Sequence, residues 1–232
     1  MPFAARPFAR KLWKDWVKPL AVILVVFGTF RSAIADWNDV PTGSMKPTIL
    51  EGDRILVNKL AYGLRVPFTT RWIAAWGGPD SGEIAVLFSP ADGKRLVKRI
   101  IGLPGDTVEL RGNALIVNGQ AAAYAALEQA VIDRLAASER PSHAYARERI
   151  GAASHAVMST PAVGARRDFG PITIPAGRYL VMGDNRDQSA DSRVFGLVPR
   201  RLIVGRSSAV AFSLDREHYL RPRWSRFLKA LD

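Results

Sequence analysis

The stretch EIAVLFSPADGKRLVKRIIGLPGDTVELRGNALIV, residues 83–117, carries the clearest fold signal in this chain of 232 residues. Short runs rich in Val, Ile and Leu alternate there with Gly and Pro, which is the pattern of β-strands separated by turns. We expect hairpin turns at Arg111-Gly112-Asn113 and Asn118-Gly119. We expect strands over 83–88, 95–101, 107–110 and 115–117. The stretch therefore predicts a mainly β body with an antiparallel sheet.

The same strand pattern recurs on both sides of this stretch. Further strands are expected over 54–60, 172–174, 178–182 and 202–212. Between them the sequence is rich in Ala, and its larger apolar residues repeat at spacings of three and four: Tyr124, Leu127, Val131 and Leu135. This spacing predicts one amphipathic helix over 121–140. Residues 141–170 lack a period and are expected to be irregular, so that 121–170 forms a partly helical insertion.

The N-terminus combines basic residues with an apolar run. Residues 1–18 contain five Lys and Arg and lead into PLAVILVVFGTF, residues 19–30. A helix over Val17 to Ala35 would cross a hydrocarbon core of about 30 Å and keep the basic flank cytoplasmic. A cleavable secretory signal is the main alternative, because Ala33-Ile34-Ala35 fits the small-x-small cleavage rule. A helix buried in a soluble core is a third interpretation.

Composition excludes some chemistry and narrows the partners. The chain has no cysteine, which excludes a disulfide, a thiolate-bound metal and a thiol nucleophile. The 33 Lys and Arg against 21 Asp and Glu give a net charge of +12, which suits nucleic acid or an anionic membrane. The position of the basic cluster beside an apolar run favours the membrane. The basic C-terminal end, residues 200–232, is either a solvated tail or a second membrane contact.

Three short segments hold the residues that could perform catalysis. VPTGSMKPT, residues 40–48, presents Ser44 on a tight turn, but the three histidines lie in the insertion or the tail, which disfavours a Ser-His-Asp triad. Lys98 in VKRIIGLPGD, residues 97–106, is the remaining candidate base, and the alternative is a solvated lysine at a strand edge. GDNRDQSADSR, residues 183–193, is a polar turn with ion pairs. A calcium loop is disfavoured there by its two arginines and its spacing.

Four blocks, in this order after an apolar segment, resemble the bacterial type I signal peptidases. They are PTGSMKPTILEGDRILVNKLAYG (41–63), GEIAVLF (82–88), LVKRIIGLPGD (96–106) and GDNRDQSADSRVFGLVP (183–199). Members of that family are membrane-bound Ser-Lys endopeptidases that remove signal peptides from exported preproteins. The resemblance implies that Ser44 is the acylating nucleophile and Lys98 the general base, with no metal or organic cofactor.

The resemblance also assigns supporting residues. It implies an oxyanion hole made by the Ser44 backbone N–H and the Thr42 hydroxyl. Many family members have serine at the Thr42 position, and threonine keeps the donor while adding a methyl group. Ser189 is expected to hydrogen-bond the catalytic lysine, and Asp191 with Arg193 to hold that region in place. Shallow pockets for small substrate residues at −1 and −3 are expected to be lined by Val40, Ile49, Leu96 and Val97.

The resemblance predicts the following layout and location. Residues 1–36 form a basic cytoplasmic end and a transmembrane anchor, 37–120 with 171–214 the catalytic β domain, 121–170 a variable insertion and 215–232 a basic tail. The protein is expected in the inner (plasma) membrane, single-pass, with its N-terminus cytoplasmic and its catalytic domain on the outer side. Its partners are expected to be signal peptides and membrane lipid, with no nucleic acid. An apolar surface at Phe68, Trp72, Ile73 and Trp76 either contacts the bilayer or packs as an ordinary loop.

Competing functions remain open at this point. A specialised processing peptidase of one secretion or conjugation system would carry the same local motifs. A non-enzymatic, membrane-tethered protein that binds anionic lipid or nucleic acid requires Lys98 to be solvated. A soluble Ser-Lys repressor that cleaves itself is disfavoured, because the residues before Ser44 leave no room for a helix-turn-helix domain.

Overall fold

The computed structural model describes residues 10–69, 71–216 and 218–231. The first nine residues of the expected basic N-terminus lie outside the described residues. Most of the chain forms strands, which we number in chain order: β1 Ala35–Asp39, β2 Asp53–Asn58, β3 Gly63–Arg65, β4 Trp72–Ala75, β5 Ile84–Phe88, β6 Arg95–Gly102, β7 Thr107–Arg111, β8 Ala114–Val117, β9 Gln120–Ala121, β10 Ala123–Ala125, β11 Ala144–Ile150, β12 Ala153–Ser159, β13 Phe169–Thr173, β14 Arg178–Met182, β15 Val198–Pro199, β16 Ile203–Asp215 and β17 Arg221–Pro222.

The helices are few in the part of the chain that the structure describes. A continuous helix runs over Arg10–Ala33. It consists of a π-helical turn at Trp13–Val17 followed by α1, Lys18–Ala33. Two helices of one turn follow, α2 at Gln129–Ile132 and α3 at Ser192–Phe195. Short 3-10 turns occur at Gly43–Met45, Lys59–Ala61, Arg140–Ser142, Arg186–Gln188, Arg200–Leu202 and Trp224–Arg226.

One large antiparallel sheet organises the body. Its order is β1-β2-β16-β5-β6-β14-β15, with β17 beside β16. The long strand β16 pairs with β2 on one side and with β5 on the other, so it joins the two halves of the sheet. Smaller sheets of the orders β13-β7-β8-β9, β10-β11-β12 and β3-β4 surround it. The mainly β fold expected from the sequence is confirmed.

Strand β5 shows why the sheet is stable. Its residues alternate between two hydrophobic clusters, Ile84 and Val86 on one face and Ala85 and Leu87 on the other. Side chains of a strand point alternately to opposite faces, so a strand covered on both faces must be apolar throughout. The continuous run over β5 is therefore a consequence of its central position.

The insertion differs from its expected structure. The amphipathic helix predicted over 121–140 is wrong, since only Gln129–Ile132 is α-helical. The Tyr124 hydroxyl, 3.0 Å from the Leu115 backbone N and 2.6 Å from Glu148 Oε2, holds β10 in a sheet despite its Ala-rich sequence. The irregular structure predicted for 141–170 is also wrong, because β11 and β12 form a hairpin of seven paired residues. Tertiary contacts outweigh helix propensity here.

The long N-terminal helix is attached to the sheet by buried charges. It is long and apolar enough to cross a membrane by length and composition. Lys59 Nζ donates to the backbone oxygens of Arg31 and Ser32, at 2.7 and 3.2 Å, and lies 3.4 Å from Asp36 Oδ2. The last carbonyls of a helix lack partners within the helix, so a cation is favourable at this end. Ala35, next to the small-x-small sequence, already pairs with Asn58 in the sheet.

The C-terminal segment is docked and is not a solvated tail. The Arg226 guanidinium forms a buried ion pair with Asp53. The Val210 backbone N donates to Lys229 O at 2.8 Å, and Leu231 packs against the hydrophobic cluster of Val86. Trp224 nevertheless remains 73% exposed. The segment thus combines a docked backbone with an outward-facing aromatic side chain.

Candidate active site

The turn that carries Ser44 is held from two sides. Gly43–Met45 forms a 3-10 turn, and the Ile49 backbone N donates to Met45 O at 2.9 Å. From the loop after β14, the Asn185 backbone N donates to Ser44 O at 3.1 Å, and its side-chain amide donates to Gly43 O at 3.2 Å. Because the surrounding backbone is bonded on both sides, the Ser44 side chain is presented from a rigid position.

Lys98 lies directly against this serine. It is on β6, opposite Ala85 of β5, and is 2% exposed. Its Nζ is 2.6 Å from Ser44 Oγ. Burial lowers the pKa of Lys98 from 10.5 to about 8, and the carboxylates of Asp191 and Asp184 oppose this only in part. A lysine with this pKa is partly neutral near pH 7 to 8 and can accept a proton from the serine hydroxyl.

Lys98→Met is expected to stabilise the fold. A folded-state pKa of about 8 against 10.5 means that the folded protein disfavours the charged amine, at a cost of about 3 kcal/mol below pH 8. This cost disappears as pH rises from about 8 to 10.5, so wild-type stability should increase across that window. Chemical unfolding in detergent should show a more stable variant at pH 7 and no such increase with pH. A variant less stable than wild type at pH 7 would contradict the buried amine.

The loop after β14 surrounds the lysine with bonded groups. Arg193 Nε and Nη2 donate to the two oxygens of Asp191 at 2.9 and 2.8 Å, so the expected pair is present. The Gly183 backbone N donates to Asp191 Oδ2 at 3.0 Å. A Cβ on Gly183 would lie 2.3 Å from Ser189 Oγ and 2.4 Å from Ser44 O. Only glycine therefore permits these two segments to approach so closely.

Ser189 does not make the hydrogen bond that was expected. Its Oγ is buried and has no hydrogen-bond partner among the described residues, and the contact of Lys98 Nζ is with Ser44. The Ser189 hydroxyl lies instead against Gly183. The correction follows from the closeness of these backbones, which places Ser189 in the site but directs its oxygen away from a bond to the lysine.

A buried ion pair connects the lysine strand to the loop. Arg99, the residue after Lys98, donates through Nε and Nη2 to Asp184 at 2.8 and 2.7 Å. Both side chains are 1% exposed. Thr48 Oγ1 lies 2.5 Å from Asp184 Oδ2, which links the pair to the segment that carries Ser44. Burial alone would raise the pKa of Asp184, but Arg99 and Thr48 hold it below 3.8.

An apolar cleft of about 650 Å³ leads to Ser44. Val40, Leu96 and Val97 line it as expected. Ile49 does not, because its backbone bond to Met45 turns the side chain into the core, where it is 0% exposed. Met45 lines the cleft instead. Thr42 also lines the cleft, and its side chain makes no hydrogen bond that caps the following turn. The Thr42 hydroxyl is thus beside the serine, where an oxyanion donor is needed.

One histidine lies closer to the site than the sequence indicated. His143 of the insertion lines a second cavity that also contains Ser44, and its Nδ1 is 2.8 Å from Thr160 Oγ1. His155 is buried 3.1 Å from Glu148 Oε1. Among the described residues, no group of three or more His, Cys, Asp or Glu has the arrangement of a metal site. The base in contact with Ser44 is the lysine.

Sequence reasoning missed two residues that shape the site, Arg99 and Asn185. Both lie inside the segments that were singled out, at 97–106 and 183–193. An arginine between a polar residue and a run of isoleucines carries no signal of full burial. The amide of Asn185 is equally anonymous in a polar turn, although it fixes the serine backbone.

Comparison with known proteins gives a consistent result. A family model described as "Signal peptidase, peptidase S26" matches residues 13–212. A signal peptidase I of Pseudomonas aeruginosa is 36% identical, and the match covers 89% of this chain and 74% of that protein. Signal peptidase I P of Bacillus subtilis subsp. natto is 34% identical, with 87% and 90% covered. A crystal structure of an Enterococcus faecalis signal peptidase I is 29% identical, with a TM-score of 0.35, 57% of this chain covered and 98% of that one.

Proposed function

The chain belongs to the peptidase S26 family of signal peptidases, serine endopeptidases that remove signal peptides, and from this premise we propose that Ser44 and Lys98 are its catalytic dyad. The observation that carries the proposal is the contact of 2.6 Å between Lys98 Nζ and Ser44 Oγ at a buried site. The pKa of about 8 gives this lysine a usable neutral fraction near physiological pH.

The geometry supports the following acyl-transfer sequence. Neutral Lys98 takes the hydroxyl proton as Ser44 Oγ attacks the carbonyl carbon of the scissile bond. The Ser44 N–H and the Thr42 hydroxyl stabilise the oxyanion, a contribution of about 3 to 4 kcal/mol per donor in related chemistry. Lys98 then gives the proton to the leaving amine. A water molecule, deprotonated by the same lysine, hydrolyses the acyl-enzyme.

Substrate binding as an added strand is supported by two free strand edges. β1 is the edge strand of the main sheet, and β14 pairs with β6 only over 99–102, which leaves 95–98 open on that side. Both edges border the apolar cleft. An extended signal peptide between them would gain main-chain hydrogen bonds. The walls formed by Val40, Leu96 and Val97 leave room for small side chains at −1 and −3.

Contact with lipid is supported by the apolar surface next to the helix. Phe68, Ile73 and Trp76 are 74%, 59% and 59% exposed, and the Phe68 ring lies beside Gly28 of α1. Trp72 is the exception, because it packs under the guanidinium groups of Arg65 and Arg200. Exposed aromatic residues at the end of an apolar helix suit a membrane interface. We place the helix across the inner membrane with its basic end cytoplasmic and the catalytic body outside, facing signal peptides and membrane lipid.

Cleavage of a purified preprotein with an Ala-x-Ala site tests this function. In detergent or lipid, we expect mass spectrometry to show one cut after the alanine at −1. Phenylalanine at −1 should lower kcat/KM by more than about 100-fold, because the rigid apolar wall excludes its bulk. Phenylalanine at −2, whose side chain points away from the cleft, is the matched control and should have little effect. Equal cleavage of all three substrates would contradict the proposed binding mode.

A further inference from the structure

Ser44 lies where two cavities of opposite character meet. The first is the apolar cleft of Val40, Leu96 and Val97. The second has a volume of about 300 Å³. Its walls are polar and include Lys46, Glu51, Glu139, His143, Asn185 and Gln188. A peptide held in the apolar cleft up to its scissile bond would continue past Ser44 into this second cavity, which we call the polar cavity.

The charges of the polar cavity form one cluster. Lys46 Nζ donates to both carboxylate oxygens of Glu139, at 2.9 and 3.0 Å, and lies 3.6 Å from Glu51 Oε2. One cation therefore faces two carboxylates. Lys46 is only 12% exposed, against 31% for Glu139 and 40% for Glu51, so solvent screens the cluster only in part.

The insertion supplies part of this wall. Glu139 and His143 both belong to 121–170, and the insertion is joined to the catalytic loop elsewhere as well. The Met158 backbone N donates to Asp184 O at 2.9 Å, and the guanidinium of Arg186 forms a buried ion pair with Glu148. These bonds hold the insertion against the loop that contains Asn185. Its residues are thus fixed beside the serine.

We propose that the polar cavity binds the first residues of the mature protein, and that Lys46, Glu51 and Glu139 set its selectivity for their charge. The proposal rests on the proposed function, in which Ser44 attacks a bond whose N-terminal side occupies the apolar cleft. Three extended residues reach about 10 Å. Residues +1 to +3 of the mature protein therefore lie within reach of this cluster.

The direction of each charge effect follows from electrostatics. Arg134 and Arg223 line a smaller cavity on the other side of the same three side chains, so they contribute to the absolute preference. A single substitution changes one charge and leaves the arginines unchanged. Lys46→Met makes the cavity more negative and favours a basic substrate residue. Glu139→Gln makes it less negative and favours an acidic one.

The test uses three preproteins that are identical except for Lys, Gln or Asp at residue +2. We take the ratio of kcat/KM for the Lys substrate to kcat/KM for the Asp substrate. For partly buried charges a few ångströms from the substrate, Lys46→Met should raise this ratio about fivefold and Glu139→Gln should lower it about fivefold. Glu51→Gln, a milder change, should lower it as well. Glu109→Gln on β7, where the glutamate pairs with Arg111, is the matched control and should not change the ratio.

Opposite shifts in the two main variants support the proposal, because general structural damage would alter cleavage of all three substrates in the same direction. An unchanged ratio in variants that still cut the Gln substrate at the correct bond overturns it and leaves the proposed function standing. Shifts of the same sign in Lys46→Met and Glu139→Gln also overturn it. Failure of the proposed function is distinct, since wild type would then cut none of the three preproteins.

Discussion

Ser44→Ala and Lys98→Ala should each lower kcat for preprotein cleavage by about 10³ to 10⁶-fold, because each removes a group that no neighbour replaces. The double variant should be no worse than the more damaged single variant, since the two side chains act as one unit. Quantified product formation by mass spectrometry, in detergent with excess enzyme, has the required range. Ser208→Ala and Lys11→Ala, at exposed positions, are matched controls.

The pH profile separates a base from a mere positive charge. With a pKa of about 8, about one Lys98 in ten is neutral at pH 7, against about one in 3,000 at the ordinary 10.5. The general base must be neutral, so kcat/KM should rise with pH up to about 8 and then level off. Lys98→Arg keeps a cation that does not deprotonate and should be as inactive as Lys98→Ala. A rate independent of pH between 6 and 9, or an active arginine variant, would show that Lys98 is not the base.

Arg99→Met should lower the free energy of unfolding by about 3 to 5 kcal/mol, the cost of leaving a buried charge without its partner. The variant strands the Asp184 carboxylate, which is 1% exposed and accepts both bonds from Arg99. Chemical unfolding in detergent, followed by near-ultraviolet circular dichroism of the six tryptophans, measures the loss. It would be contradicted by a loss below about 1 kcal/mol.

The control for this prediction replaces both partners. Arg99→Met with Asp184→Leu removes both charges and should recover much of the lost stability, because paired apolar substitutes avoid desolvation. The pH dependence gives a second control. Since the pKa of Asp184 is held below 3.8, its contribution is present above pH 3.8 and is lost as pH falls through the folded-state value. That acid-dependent loss should be absent in the double variant.

Local sequence was sufficient for strands whose two faces are covered by the body itself. The prediction over 178–182 coincides with β14, and 95–101 differs from β6 by one residue. It was not sufficient for β1 and β3, which were not predicted, or for the insertion hairpin. Those strands are short or half exposed, so their apolar pattern is weak, and their pairing with distant residues stabilises them.

What the sequence by itself determined is the family, the mainly β body, the apolar N-terminal helix and the two residues most suited to chemistry, Ser44 and Lys98. These follow from local patterns of residue type that survive without coordinates. Only the tertiary structure decided that Lys98 is buried against the serine, that Ile49 belongs to the core, and that Glu139 of the insertion reaches Lys46. The physical reason is that burial, pKa and the sharing of one cavity depend on neighbours brought together from far along the chain, as with the 54 residues between Ser44 and Lys98.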